Sequence, residues 1–382
     1  MSSSAWILSS SGAAALWLFV LLVPWRPWST RERLDVHADR AGADRLDDVT
    51  ALVPARDEAP LITDTVHALA AEGLRVVVID DQSADDTAAL ARRAGAAEVI
   101  VSPSLPEGWT GKLWALEQGW RRTTTPLLLL VDADIVLAPG TVAGLLTQLR
   151  QGGAQLVSLV AEPRLRSFWE RLLLPAFVYF FKLLYPFRLS NEGSPHVAAA
   201  AGGCVLIERR VLEAIGGFGA LRGAIIDDCT LARLARNAGF STWIGLTRAA
   251  SSRRAGTTLQ SLWDMVARTA FTQLRYSSLW LAACTLLMLL AFVAPVAGLW
   301  APQPAARVLA VIACVALCAT YVPLLRYYGM NPFRALTLPV AAILFLAMTW
   351  TSALRYWRGT RSIWKGRVYG RRRNPHPIAP VD

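Results

Sequence analysis

The sequence predicts an α/β domain built on a doubly wound, parallel sheet and joined to apolar helices at both of its ends. Three observations carry this. Apolar strand-like runs alternate with helical patterns from Val49 to Val160, the signature of a parallel sheet. The run Leu127 to Val131 leads straight into Asp132-Ala133-Asp134. A short continuous apolar run suits a strand buried on both faces, and its carboxyl end is where open α/β sheets receive ligands. Finally, the 382 residues are 54% hydrophobic yet 18% charged, with a mean hydropathy of +0.37. That is too apolar for a soluble protein and too charged for a pure membrane bundle, so a soluble domain with membrane segments is expected.

The elements follow in order. Ala5 to Val23 is almost free of charge and about long enough to span a bilayer. No Lys or Arg precedes it, whereas Arg26, Arg31 and Arg33 follow, so it reads as a retained anchor over residues 1–25 with the next domain cytoplasmic. Residues 26–48 are charged and polar and read as a linker. Val49 to Val53 is a strand, followed by Pro54-Ala55-Arg56-Asp57-Glu58 and a helix to about Glu72. Leu74 to Ile79 is a second strand that ends in Asp80-Asp81-Gln82-Ser83. Asp85 or Asp86 reads as the N-cap of the helix after it. Glu98 to Val101 is a short strand, Ser102 to Gly111 a Pro/Gly loop, and Lys112 opens a helix. After the Leu127 strand, a helix begins at about Pro139 and a fifth strand covers Gln155 to Val160.

Two carboxylates at i, i+2, as in Asp132 and Asp134, repel one another unless a cation joins them, and a hard divalent ion with oxygen ligands fits. An Asp-rich turn is the plain alternative. No GxGxxG follows the first strand. The nearest pattern, Gly217-Phe218-Gly219-Ala220-Leu221-Arg222-Gly223, has the wrong spacing and position, which excludes a dinucleotide-binding dehydrogenase.

Phe168 to Leu189 is aromatic and apolar with Glu170, Arg171, Lys182 and Arg188 interspersed. An interfacial helix over about 165–190 lets those charges face headgroups, whereas a spanning one would hide them. Gly202-Gly203-Cys204 opens an apolar strand where backbone can approach a ligand closely. Ile225-Ile226-Asp227-Asp228 leads into a helix, with Asp227 as a candidate cap and Asp228 favourable at the positive dipole end. Leu259 to Tyr276 is amphipathic. Three runs follow, Leu279 to Trp300, Val308 to Leu325 and Ala335 to Leu354, each about long enough to span, giving a transmembrane region over 277–356. They contain Pro295, Pro323 and Pro339 but almost no charge, which argues against a transporter.

The net charge of +11 is uneven: from Arg355 to the end there are eight Lys/Arg and one Asp. This basic tail, residues 357–382 in the main, suits an anionic leaflet, and the acidic motifs elsewhere argue against nucleic acid. The membrane parity conflicts with it. Three crossings after a cytoplasmic domain put the C-terminus outside, whereas the tail, Arg326 and Arg334 favour inside. Cys204, Cys229, Cys284, Cys314 and Cys318 show no metal or disulfide spacing.

Taken together, four features in order resemble a processive-type family 2 glycosyltransferase with a GT-A fold: residues 54–58, Asp80-Asp81, Asp132-Ala133-Asp134, and Asp227-Asp228 before a helix. The resemblance covers roughly residues 49 to 276. The membrane segments and Trp364-Lys365-Gly366-Arg367 are more specifically similar to bacterial hopanoid-biosynthesis-associated glycosyltransferases, with ceramide and carotenoid glycosyltransferases as more distant relatives. The resemblance implies a nucleoside-diphosphate sugar donor, UDP-linked, and inversion at the anomeric carbon. It implies Mg²⁺ or Mn²⁺ on Asp134 and Asp132, and donor contacts from Pro54, Arg56, Asp57, Glu58, Asp80, Asp81 and Asp132. Lys112 is either a diphosphate contact or a solvated lysine.

Two departures matter. The family's Glu-Asp pair is here Asp227-Asp228, which leaves Asp228 as the general base. Its Gln-x-x-Arg-Trp is only approximated by Gln273-Leu274-Arg275-Tyr276, which fits transfer of a single sugar over polymer synthesis. Gln273 and Arg275 are counted among the donor contacts, with lipid headgroups as the alternative for Arg275. The expected protein is a multi-pass enzyme of the cell inner membrane that glycosylates a lipid. A non-catalytic nucleotide-sugar-binding subunit is the rival, and it would have no need of Asp228.

Overall fold

The computed structural model describes residues 2–36, 46–254, 258–364 and 367–370. In chain order the elements are α1 (Ser3–Leu22), β1 (Arg33–Leu34), β2 (Val49–Ala55), α2 (Ile62–Ala71), β3 (Arg75–Asp80), α3 (Thr87–Arg93), β4 (Glu98–Val101), α4 (Gly111–Arg122), β5 (Leu127–Val131), β6 (Ile135–Leu137), α5 (Thr141–Gly152) and β7 (Leu156–Glu162). Then come α6 (Phe168–Leu184), α7 (Phe187–Asn191), β8 (Cys204–Glu208), α8 (Arg209–Ile215), α9 (Asp227–Asn237), β9 (Thr242–Ser252) and α10 (Leu259–Gln273). The chain continues as α11 (Ser278–Met288), a π turn (Leu289–Val293), α12 (Ala294–Gly298), α13 (Pro304–Tyr327), a 3₁₀ turn (Pro332–Thr337), α14 (Leu338–Trp357) and the hairpin β10 (Thr360–Trp364) and β11 (Arg367–Gly370).

The sheet has the order β1-β9-β7-β8-β5-β2-β3-β4, with β6 alongside β9. Strands β5, β2, β3 and β4 are parallel, as expected. The sheet as a whole is not: β8 runs antiparallel between β5 and β7, and β6 is antiparallel to β9. The expectation of a doubly wound parallel sheet is therefore corrected to a mixed one. The reversal matters for chemistry. Because β8 enters where β5 ends, with Cys204 opposite Val131, the Gly202-Gly203 approach lies beside Asp132, whose amide donates to the Gly203 carbonyl at 3.1 Å.

Helices cover both faces of the sheet. Leu127, Leu129 and Val131 face α2 and α5, while Leu128 and Leu130 face α4, α8 and α9. This two-sided burial is why β5 reads as an unbroken apolar run rather than an alternating one. The predicted linker also differs from expectation. Arg33 and Leu34 pair in parallel with Leu246 and Thr247 and add an edge strand to the sheet. Residues 37–45 lie outside the described residues.

A third core joins α1, α6 and α10 to the C-terminal helices. Among the described residues, four helical stretches, Ser3–Leu22, Ser278–Gly298, Pro304–Tyr327 and Pro332–Trp357, are long and apolar enough to cross a membrane. Trp17 donates to the Ala291 carbonyl in the π turn at 2.6 Å. The helices meet closely at Gly298, where a Cβ would stand 2.7 Å from Ser10 Oγ and 2.8 Å from Ala310 Cβ.

Two of the charges of helix α6, Glu170 and Lys182, are turned into protein. Glu170 closes a capping box with Ser167, and Lys182 is only 2% exposed. The Lys182 ammonium sits 3.7 Å from Glu32 and 3.7 Å above the Phe187 ring. One side of the helix packs against β9 and α13–α14, while Phe168, Phe177 and Leu184 are exposed. Arg171 and Arg188 do remain at the surface.

Candidate active site

The site forms along the carboxyl edge of the parallel strands. The end of β2 and the end of β3 are tied together there. Arg56 donates to the Asp81 carbonyl at 2.6 Å, and the Asp57 carboxylate accepts from the Ala84 amide at 2.8 Å. Ser83 donates to Asp80 at 2.5 Å. Asp57 and Gln82 both hold left-handed backbone (φ 50° and 57°), a conformation unfavourable for non-glycine residues that commonly marks functional loops. Asp86 stands at the N-cap of α3 without a side-chain capping bond, while Asp85 accepts from the amides of Ala59 and Thr87.

A pocket opens next to this edge, with Lys112, Asp132, Gly202, Asp227 and Asp228 on an apolar floor that includes Leu116 and Phe218. Lys112, at the start of α4, reaches Asp132 at 2.6 Å and Asp227 at 4.0 Å, and donates to the Gly202 carbonyl at 3.3 Å. It is thus a member of the cluster and not a solvated lysine. Burial works against its charge, but Asp132 and Asp227 outweigh it and hold the ammonium above the ordinary lysine range. Burial pushes Asp132 up, with Lys112 opposing and Asp134 and Asp227 adding to the rise. Space at Gly202 is tight: a Cβ there would lie 3.1 Å from Lys112 Nζ and 3.5 Å from Asp228 Cβ.

Asp227 is not the helix cap that its position predicts. Ile226 occupies the N-cap without a side-chain bond, and Asp227 starts the helix with its carboxylate toward Lys112. Asp228 accepts from the Cys229 amide at 2.7 Å and the Gly202 amide at 3.1 Å. These bonds orient the carboxylate and favour its charge. Burial and the neighbouring Asp227 nevertheless raise it to about 6. A carboxylate tuned to that range is suited to taking a proton near neutral pH.

Asp132 and Asp134 part company. Asp134 accepts from Ser252 at 2.8 Å and pairs with Arg254 at 3.3 Å, and Arg254 also reaches Glu58 at 2.8 Å. Arg254 and Ser252, at the end of β9, are site residues that motif reading missed. The Ser251-Ser252-Arg253-Arg254 run was visible, but nothing local says that β9 ends beside Asp134.

Tyr185 was missed for a similar reason. It follows α6, and its hydroxyl donates to Gln273 at 2.8 Å. Burial, then the nearby Cys229 and Asp228, push the phenol up to about 12. Gln273 is thereby drawn toward the Asp228 side, whereas Arg275 is exposed at the end of α10 and, with Tyr276, holds left-handed backbone.

The mixed sheet, with an acidic strand edge facing an acidic helix start, is a GT-A-like α/β domain. The chain belongs to glycosyltransferase-like family 2, whose model matches residues 47–272. A stretch of 126 residues is 32% identical to the 4,4'-diaponeurosporenoate glycosyltransferase of Staphylococcus aureus, amounting to 32% of this chain and 34% of that protein. The match spans about a third of that relative's length. In structure, the chain is similar to a mannosyltransferase from Pyrobaculum calidifontis solved with GDP-Man and Mn²⁺. The TM-score is 0.53 at 20% identity, covering 88% of this chain and 99% of that one. At that identity the likeness bears on fold alone, and it supports a GT-A-like mixed sheet.

Proposed function

We propose that this protein transfers one sugar from a nucleoside-diphosphate donor, UDP-linked, to a hydroxyl group of a membrane lipid, with inversion at the anomeric carbon. The observation that carries this reading is the juxtaposition of Lys112, Asp132, Asp227 and Asp228 in one pocket at the strand edge. The donor's base and ribose lie over the ends of β2 and β3, where Asp57 or Glu58, and Asp80, accept their hydrogen bonds. Lys112 meets diphosphate charge from the pocket side. Asp228 takes the acceptor's hydroxyl proton as that oxygen bonds to the anomeric carbon and the bond to the diphosphate breaks. Positioned general-base assistance contributes about 10²–10⁴-fold.

The residues fit a divalent ion. Asp132, Asp134 and Glu58 supply hard oxygens, and all three are engaged by cationic side chains, Lys112 or Arg254. Among the described residues no group of three His, Cys, Asp or Glu forms a protein-only cage. Mg²⁺ and Mn²⁺ at such sites take one or two carboxylates and complete their shell with phosphate oxygens and water. Asp134 and Asp132 would hold the ion, which when bound neutralises charge on the departing diphosphate.

Tyr185 links the Asp228 wall to α6 and so to the apolar helices, which supports an acceptor delivered from the membrane side. The carotenoid-type relative is in keeping with an extended apolar acceptor. The resemblance of the membrane segments and tail points to a hopanoid acceptor, with a carotenoid or ceramide-like lipid as the alternative. The charge bias around α1 supports a cytoplasmic catalytic face, and the resemblance to bacterial enzymes an inner-membrane location. Incubating membranes with a panel of labelled nucleotide sugars and extracting the lipids tests this. Label in an apolar lipid fraction is the expected result. Label only in water-soluble product sinks the lipid acceptor, and donor binding without any transfer points to the non-catalytic subunit.

A further inference from the structure

Four helical stretches are long enough to cross a bilayer, but their packing against the catalytic domain distinguishes them. The end of α1 is tied to the domain: Arg188 donates to the Pro24 carbonyl at 3.0 Å, and β1 joins the sheet shortly after. Its N-terminal half lies with the end of α12 and the first two turns of α13, since Ser10 and Ala310 both crowd Gly298. α11 starts at the domain, with Leu281 packed against Phe271 of α10, and leads away to α12. α13 returns, because its last residue, Tyr327, accepts from Arg248 of β9 and lies under that guanidinium, 4.9 Å from ring centroid to Cζ. Each of these three has one end at the domain and one end away from it.

α14 is different. Its start follows α13 by only residues 328–337, and the 3₁₀ turn in that connection packs back on α13. Its far end lies on α10. Trp263 donates to Thr351 at 3.1 Å, the Phe271 amide donates to Ser352 at 3.1 Å, and Arg355 pairs with Asp264 at 2.5 Å. Tyr356 stacks on Tyr276 at 4.4 Å. The end of α10 in turn contacts Tyr185 beside Asp228. α14 has 20 residues, about 30 Å of helix, and both ends of it are held at the catalytic side.

We infer that α14 does not cross the membrane but lies along it on the catalytic side, so that α1, α11–α12 and α13 are the crossings among the described residues and the chain leaves α14 on the same side as the catalytic domain. The inference rests on the membrane reading above but not on the identity of donor or acceptor. It removes the parity conflict in the sequence, since Arg326, Arg334, Arg355 and Arg358 then all fall on one side with the domain. The outer surface of this segment fits such a position. Phe333, Leu336, Ile343 and Trp357 are exposed apolar side chains, and Arg334 and Arg358 accompany them. Apolar groups beside arginines suit an interface where acyl chains meet anionic headgroups.

The natural lysine content gives a direct test. The chain has three lysines, and Lys112 and Lys182 are both engaged in ion pairs within the fold, leaving Lys365 in the tail. The full-length protein in sealed inverted and right-side-out vesicles is treated with a membrane-impermeant amine reagent, and labelled peptides are mapped by mass. Protease cleavage of the catalytic domain in the same vesicles marks its side. We expect Lys365 to be labelled only in vesicles where the catalytic domain is cleaved, and the N-terminal amine only in the opposite set. A Lys365→Arg chain should lose the tail label. Labelling of Lys365 from the side opposite the catalytic domain overturns the inference. Failure of sugar transfer with Lys365 on the catalytic side would count against the proposed reaction and leave the topology standing.

Discussion

In the proposed reaction, the chemistry is concentrated in one carboxylate, Asp228. Two backbone amides fix its orientation, and burial beside Asp227 holds it at about 6. As the base it must be ionised, and the ionised fraction rises with pH. Turnover should therefore fall about tenfold per pH unit below 6 and level off above it. Asp228→Asn should lower kcat by about 10²–10⁴-fold, with little change in donor affinity, and should abolish that acidic limb. Turnover within a few-fold of wild type, with donor binding intact, would remove Asp228 from the role. The same residue scale explains Gly202: its missing side chain lets Lys112 and Asp228 share one narrow space.

Among the elements, α6 is the joint between chemistry and bundle. Its Lys182 is buried beside Glu32, which follows α1, so an ion pair ties the anchor segment to the helix that presents Tyr185. Removing one partner leaves a buried charge alone. Glu32→Ala should destabilise the protein by roughly 3 kcal/mol, whereas replacing both partners by apolar residues should cost much less. Thermal unfolding in detergent of Glu32→Ala and of Glu32→Leu with Lys182→Met makes the comparison. Equal losses would mean that the pair contributes packing and not charge compensation. The element scale is also where β8 decides the site. Its antiparallel entry between β5 and β7 sets Gly202 against Asp132, which a parallel strand in that position would not do.

For the molecule as a whole, the proposed donor site, with Asp132 and Asp134 on the diphosphate, carries an expected dependence on a divalent ion. Complete chelation should abolish transfer, and added Mn²⁺ or Mg²⁺ should restore it. Activity that survives chelation would leave Lys112 and Arg254 as the charge partners of the diphosphate. The core that joins α1, α6, α10 and the C-terminal helices also takes in Val160, Ile244 and Leu246 of the sheet, so catalytic pocket and bundle are expected to unfold together rather than as separate units.

Local pattern alone determined much of this protein. The alternation from Val49 to Val160, the apolar run into Asp132-Ala133-Asp134 and the long uncharged helices were legible because burial on both sheet faces, or in lipid, imposes composition on a contiguous stretch. The acidic pair at 227–228 was legible as a pair, though not as a partner of Lys112. Tertiary structure decided what depends on contacts far apart in the chain. The direction of β8, the edge strand at Arg33–Leu34, the pairing of Arg254 with Asp134 and Glu58, and the closeness of Tyr185 to Asp228 all join segments separated by dozens to hundreds of residues. No periodicity records such meetings. The same reason governs α14: hydropathy measures whether a helix can span, and only the partners at its two ends show where those ends are held.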